Sequence, residues 1–180
     1  MKDKIFYLFF FGLILSVYRL IPHPPNFTPV LSMAVMAPLF FKDRILCIAL
    51  LIVPMFISDI FLGFHPYQFV IYTTLISITL ISPMKKNFLI LGSMAIASSV
   101  WFFLTTNFSV WLIWDYYPKT FEGLISCYTL AIPFFTNTIV STVLFTGLLT
   151  FALKYLDRFN ASANYILLKF ANKYFNFKKI

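Results

Sequence analysis

From Ile5 to Leu156 the sequence runs as a series of long apolar stretches, each cut off by proline, glycine or a small basic cluster. No other feature constrains the fold as strongly. Apolar and polar residues do not alternate as they would in half-buried strands, and stretches of about 15–20 apolar residues match the hydrocarbon thickness of a bilayer. Composition agrees, with 61% hydrophobic and 11% charged residues, where a soluble domain is nearer half apolar and roughly a quarter charged. The expected fold class is all-α: a polytopic membrane protein whose domain 1–156 is a six-helix transmembrane bundle, followed by a basic amphipathic cytoplasmic tail, 157–180.

The spans are expected at about 5–21, 27–41, 45–62, 67–82, 88–106 and 134–156. A basic start, Lys2 and Lys4, before an apolar run could mark a secretory signal peptide. Val17-Tyr18-Arg19-Leu20 offers no small-residue cleavage site, so a retained helix is expected. Pro22-His23-Pro24-Pro25-Asn26 cannot be helical, because each proline lacks a donor and restrains its predecessor. The stretch 124–156 is too long for one crossing. Two crossings would put Lys154, Arg158 and the basic tail on the outer side, so 124–132 is read as a short interfacial or re-entrant helix broken at Pro133.

Alternation then gathers Lys2, Lys4, Lys42, Arg44, Lys85, Lys86, Lys154, Arg158, Lys169, Lys173, Lys178 and Lys179 on one flank, and leaves Arg19 and Lys119 on the other. Cytoplasmic loops carry the excess of Lys and Arg, so both termini are placed in the cytoplasm. The net charge of +8 is thereby a topology signal, and no nucleic-acid partner is expected. Tyr165, Phe170, Tyr174 and Phe177 among the tail lysines suit an amphipathic helix on anionic lipid, or else a disordered basic tail. Cys47 and Cys127 fall on opposite sides with no CxxC, so they read as separate buried thiols.

Small and hydroxylated residues mark packing faces. Gly12, Ser16 and Arg19 form one stripe, Ser93 and Ala97 another, and Thr138, Thr142 and Thr146 an i, i+4 ladder. The polar residues that require explanation gather on the outer side: Arg19, His23, Asn26, Asp59, His65, Trp114, Asp115, Lys119, Glu122 and Asn137. Charge inside hydrocarbon is costly, so Arg19 and Asp59 either snorkel or pair. The cluster forms the wall of an outward-facing ligand pocket, or a set of interfacial ion pairs and helix caps. Trp111, Trp114, Tyr116 and Tyr117 suit a membrane interface equally well as they suit stacking on a flat ligand.

Several chemistries lack their residues. There is no Walker A sequence, no HExxH and no Ser/His/Asp arrangement, and the five glycines are scattered. No ionisable group lies between the outer cluster and the cytoplasmic loops, where a coupled pump would need one. The chain is therefore not expected to be an enzyme or to carry a cofactor; no metal ligands are assigned, and active uptake would need an energised partner.

Three stretches carry a family resemblance: Arg19-Leu-Ile-Pro-His-Pro-Pro-Asn-Phe-Thr-Pro29, Ser58-Asp-Ile-Phe-Leu-Gly-Phe-His65 and Tyr117-Pro-Lys-Thr-Phe-Glu-Gly123. Over residues 5–156 the chain resembles an uncharacterised bacterial six-span family regarded as transport proteins, similar in architecture to the substrate-binding S components of energy-coupling factor (ECF) vitamin transporters. The resemblance implies a multi-pass protein of the bacterial inner membrane that captures a small-molecule ligand, a vitamin or cobalt-containing cofactor, and borrows ATP hydrolysis from a coupling module. It places ligand contacts on Arg19, His23, Asn26, Asp59 and His65, with His23, His65 or Cys127 as a possible ligand to cobalt. S components often dock through an alanine-rich motif on the first helix, for which only Gly12 and Ser16 could serve here. The alternative is a non-transporting structural or assembly subunit of a larger membrane complex, its polar cluster an interface.

Overall fold

The computed structural model describes residues 12–85 and 87–175, with side chains described as far as Tyr155 and at Arg158. Lys2, Lys4, the start of the first apolar run, Lys86 and the aromatic and lysine side chains of the tail lie outside the described residues. Among those described the chain is all α-helical, with no strand. The helices are α1 (12–20), α2 (Val30–Phe40), α3 (Arg44–Leu62), α4 (Gln68–Ile81), α5 (Phe88–Ile113), α6 (Phe121–Leu130) and α7 (Ile132–Phe175). The chain divides at Thr146–Gly147 into two compact units; α7 runs through both, and the packing and the site described below belong to the first.

Among the described residues, three helices are long and apolar enough to cross a membrane: Arg44–Leu62, Phe88–Ile113 and Ile132–Tyr155. The expected spans 27–41 and 67–82 are shorter helices. At 11 residues, α2 is about 16 Å long, roughly half the hydrocarbon thickness. Its nine consecutive residues Val30–Pro38 are all buried. A helix apolar on every face belongs in a core, and α2 packs against α3, α4 and α5. Three other expected bounds differ. α5 continues past residue 106 to Ile113, the expected short helix 124–132 begins earlier, at Phe121, and the helix expected to end at 156 continues to Phe175.

Two ends of the bundle are distinct. At one, Arg44 opens α3 and donates to the carbonyls of Thr79 (2.7 Å) and Ser82 (3.0 Å), which the end of α4 leaves without helical donors. Lys42 and Lys85 flank the same helix ends. At the other, the loops 63–67 and 114–120 meet where Tyr67 approaches the edge of Trp114, ring centroids 6.2 Å apart. Between the ends, Thr74 Oγ1 donates to Thr105 Oγ1 (3.0 Å) and Trp101 Nε1 to Ser77 Oγ (3.2 Å), bonds that zip α4 antiparallel to α5.

α6 and α7 then descend beside α5. Tyr128 donates to the Leu104 carbonyl (2.7 Å) and Phe135 packs on Phe103 at 4.6 Å. One level further on, Ile96 of α5 and Ile139 and Val143 of α7 line one shallow apolar pocket. A turn at Ala131 and Pro133 divides this path into two helices, because a proline there has no N–H to continue α6.

Candidate functional site

The site is built on how α1 docks. A Cβ on Gly12 would lie 3.0 Å from Pro54 Cγ, so the missing side chain lets α1 lie directly on the proline of α3. One turn on, Ser16 donates to the Pro54 carbonyl at 3.0 Å. The next turn delivers Arg19 to the C-terminal end of α3. There Nη1 donates to the Met55 carbonyl (3.0 Å) and to Ser58 Oγ, and Nη2 meets Asp59 Oδ1 at 2.6 Å. The carboxylate is closed from its other side by Tyr72 (2.6 Å) and Gln68, both on Oδ2. Asp59 is 1% exposed and the Arg19 side chain 15%. Burial of such a pair is tolerable because each charge is matched and its remaining hydrogen-bonding capacity is filled.

Beside this pair lies a cavity of about 670 Å³, within the range that holds a small organic ligand, roughly 300–1,000 Å³. Its wall is largely apolar and aromatic, with Phe102, Phe103, Phe134 and Phe135 on one side and Leu31, Met55, Ile71 and Leu75 on another. Polar groups are spaced around it: Arg19, His23, Asn26, His65, Gln68 and Asn107, with Thr106, Thr138 and Thr142 lining it from α5 and α7. No aspartate or glutamate lines it among the described residues.

The loop 22–29 closes one side. Asn26 adopts φ 63°, a left-handed conformation that asparagine accepts better than most residues. Asn137 donates to the Pro25 carbonyl (3.0 Å) and Ser141 to that of Asn26 (3.5 Å), tying the loop to α7. His23 packs on Tyr18 at 5.4 Å with Nδ1 2.6 Å from the Ile21 carbonyl, and His65 stacks on Tyr67 at 5.4 Å.

Four of the ten residues expected as ligand contacts therefore line the cavity: Arg19, His23, Asn26 and His65. Asp59 lies behind Arg19 as its counter-ion, outside the lining, and Asn137 clamps the loop through the Pro25 carbonyl. Trp114, Asp115, Lys119 and Glu122 also lie outside the lining. Lys119 caps the end of α5, donating to the carbonyls of Trp111 and Trp114 (2.6 Å to the latter), with Asp115 4.0 Å away. Glu122 sits in the first turn of α6, where its own backbone N–H and the Thr120 hydroxyl hold its carboxyl below the ordinary 4.5. That quartet braces a loop, and only Tyr117 of the loop reaches the cavity.

Sequence reasoning missed Gln68, Thr106, Asn107 and the four phenylalanines. The one advance signal was the hydroxyl ladder on α7, and Thr138 and Thr142 belong to the wall. Cys127 also lines the cavity, its thiol 3.5 Å from the Asn107 carbonyl. No three His, Cys, Asp or Glu side chains are grouped to hold a metal among the described residues.

No curated protein and no solved structure matches the chain. The model of a family of unknown function, DUF6580, matches residues 1–163. With nearly its whole length covered, the chain belongs to DUF6580.

Proposed function

We propose that the protein is a multi-pass inner-membrane subunit of a bacterium that captures a small micronutrient, a vitamin or cobalt-containing cofactor, from the outer face. An energised partner would complete its uptake, as in the ECF S components that its sequence resembles. The observation that carries this reading is the cavity: about 670 Å³, aromatic-walled, with convergent polar groups. Such a volume inside a small bundle forgoes packing that its neighbours could have supplied.

Orientation supports the same reading. Lys42, Arg44 and Lys85 lie at the end opposite His23 and His65, and a basic end belongs in the cytoplasm. α2 and α4 are shorter than a bilayer, yet α2 is buried from Val30 to Pro38 and, within a six-span bundle, need not meet lipid.

The test is to purify the full chain in mild detergent, identify co-purifying small molecules by mass spectrometry, and screen vitamins and cobalamins by thermal shift. A bound organic molecule, displaced or weakened by His65→Gln, is the expected result. A cavity that stays empty with every compound contradicts capture. His65 separates this reading from an assembly subunit better than Asp59 does, because Asp59 holds α1 to α3 under either.

A further inference from the structure

Resting on the capture reading, we infer that the cavity takes an organic anion, a carboxylate joined to a compact apolar or aromatic body, with Arg19 receiving the carboxylate.

Three independent observations point to the charge. First, Arg19 lines the cavity, and its guanidinium has donors left over. A guanidinium carries five N–H groups; Nη1 serves Met55 and Ser58, and one N–H of Nη2 serves Asp59. The Nε–H and a second Nη2–H have no partner among the described residues. Nε and Nη2 share one edge of the planar group, the fork that fits a carboxylate, and the Nε–H on that edge is unpartnered among the described residues.

Second, α2 begins at the cavity wall, where Val30 and Leu31 contribute to the lining. Pro29 supplies no side-chain cap. The first α2 amide bonded back to the preceding chain is that of Met33, to the Pro29 carbonyl, so the N–H groups of Val30, Leu31 and Ser32 are left without acceptors among the described residues. Uncapped amides at a helix start favour negative charge. Third, the ionisable side chains of the lining are Arg19, His23, His65, Tyr67, Tyr117 and Cys127, with no carboxylate that would welcome a cation.

The rest of the wall defines the body of the ligand. Phe102, Phe103, Phe134 and Phe135 offer flat apolar surface, suited to a ring. Asn107 donates through Nδ2 to the Phe103 carbonyl (2.8 Å), which leaves its side-chain oxygen as an acceptor.

The test uses three probes that share one ring and differ in charge: indole-3-acetate, indole-3-acetamide and tryptamine, titrated against the full chain in lipid nanodiscs. The acid is expected to bind about tenfold or more tightly than the amide, since the charge-assisted bidentate pair is lost with the amide, and the amine more weakly than either. In the double variant Arg19→Gln/Asp59→Asn, which avoids stranding a buried charge, the acid should fall to within about threefold of the amide. An amide equal to the acid in the wild-type protein, or an acid preference that survives in the double variant, overturns the assignment of Arg19 while leaving capture standing. Failure of all three probes, together with an empty cavity after purification, overturns the capture reading and this inference with it.

Discussion

Asp59 Oδ1 lies 2.6 Å from Arg19 Nη2, with the carboxylate 1% exposed, so the contact that fixes α1 on α3 is an ion pair withdrawn from solvent. Residues 40 apart in sequence meet there, and what brings them together is the close approach one and two turns earlier, Gly12 on Pro54 and Ser16 on its carbonyl. The pair sits behind the cavity and aims Arg19 into it.

Removing one partner is expected to cost far more than removing both. Asp59→Ala strands the guanidinium, at about 3–5 kcal/mol. The double variant Arg19→Met/Asp59→Leu should recover most of that loss, because apolar residues of similar volume carry no desolvation penalty. Thermal denaturation of the four proteins of the cycle in one detergent measures the coupling. Additive losses would show that the pair does not act as a unit.

At Gly12 the space is already short. An alanine Cβ would press on Pro54 Cγ at 3.0 Å and a leucine would lift α1 away. Gly12→Leu should destabilise by about 1–3 kcal/mol as overpacking does, and it should also weaken ligand binding by withdrawing Arg19. Gly92→Ala, inside α5 with nothing within 4 Å, serves as the control and is expected to leave binding unchanged and stability the same or higher.

Gly123 is more constrained. A Cβ there would stand 2.0 Å from the Pro118 carbonyl oxygen, a backbone atom that the Trp111 indole N–H also binds at 2.9 Å. Gly123→Ala should therefore spring the 114–120 loop and displace Tyr117 from the cavity wall. Limited proteolysis should cut the variant in that loop faster than the wild-type protein, and the ligand should dissociate faster.

Glu122 predicts a small pH effect. Its carboxyl is held below the ordinary 4.5 by its own backbone N–H first and the Thr120 hydroxyl second. A depressed folded value means stability that is present above 4.5 and is lost as pH falls through the lower folded value. Glu122→Gln should flatten the acid limb of the melting profile without altering ligand affinity at neutral pH, since the residue lies outside the cavity.

Much of the architecture was legible before any coordinates. Prolines and basic pairs marked the helix ends, and the spacing of Gly12, Ser16 and Arg19 marked the docking face of α1. Less legible was which polar residues face the cavity. Lys119, Asp115 and Glu122 are the conspicuous charges of their loop, yet conspicuous charge there serves caps and braces at helix ends. Thr106 and Asn107 stand where the fifth apolar run is expected to end, yet α5 continues through them and each returns a hydrogen bond to its own helix, so only the packing of α5 against α7 shows which face they present. The central place of α2 was half visible: its lack of any polar face signals burial on all sides, but its partners are set by tertiary contact.

The account depends most on which side of the membrane the cavity faces. In a Cys47→Ser/Cys127→Ser background, single cysteines at His65 and at Lys85 can be challenged in intact cells with a membrane-impermeant maleimide. The cysteine at His65 is expected to label in intact cells, and the one at Lys85 only after permeabilisation. The reverse pattern would turn the cavity toward the cytoplasm and contradict capture from outside.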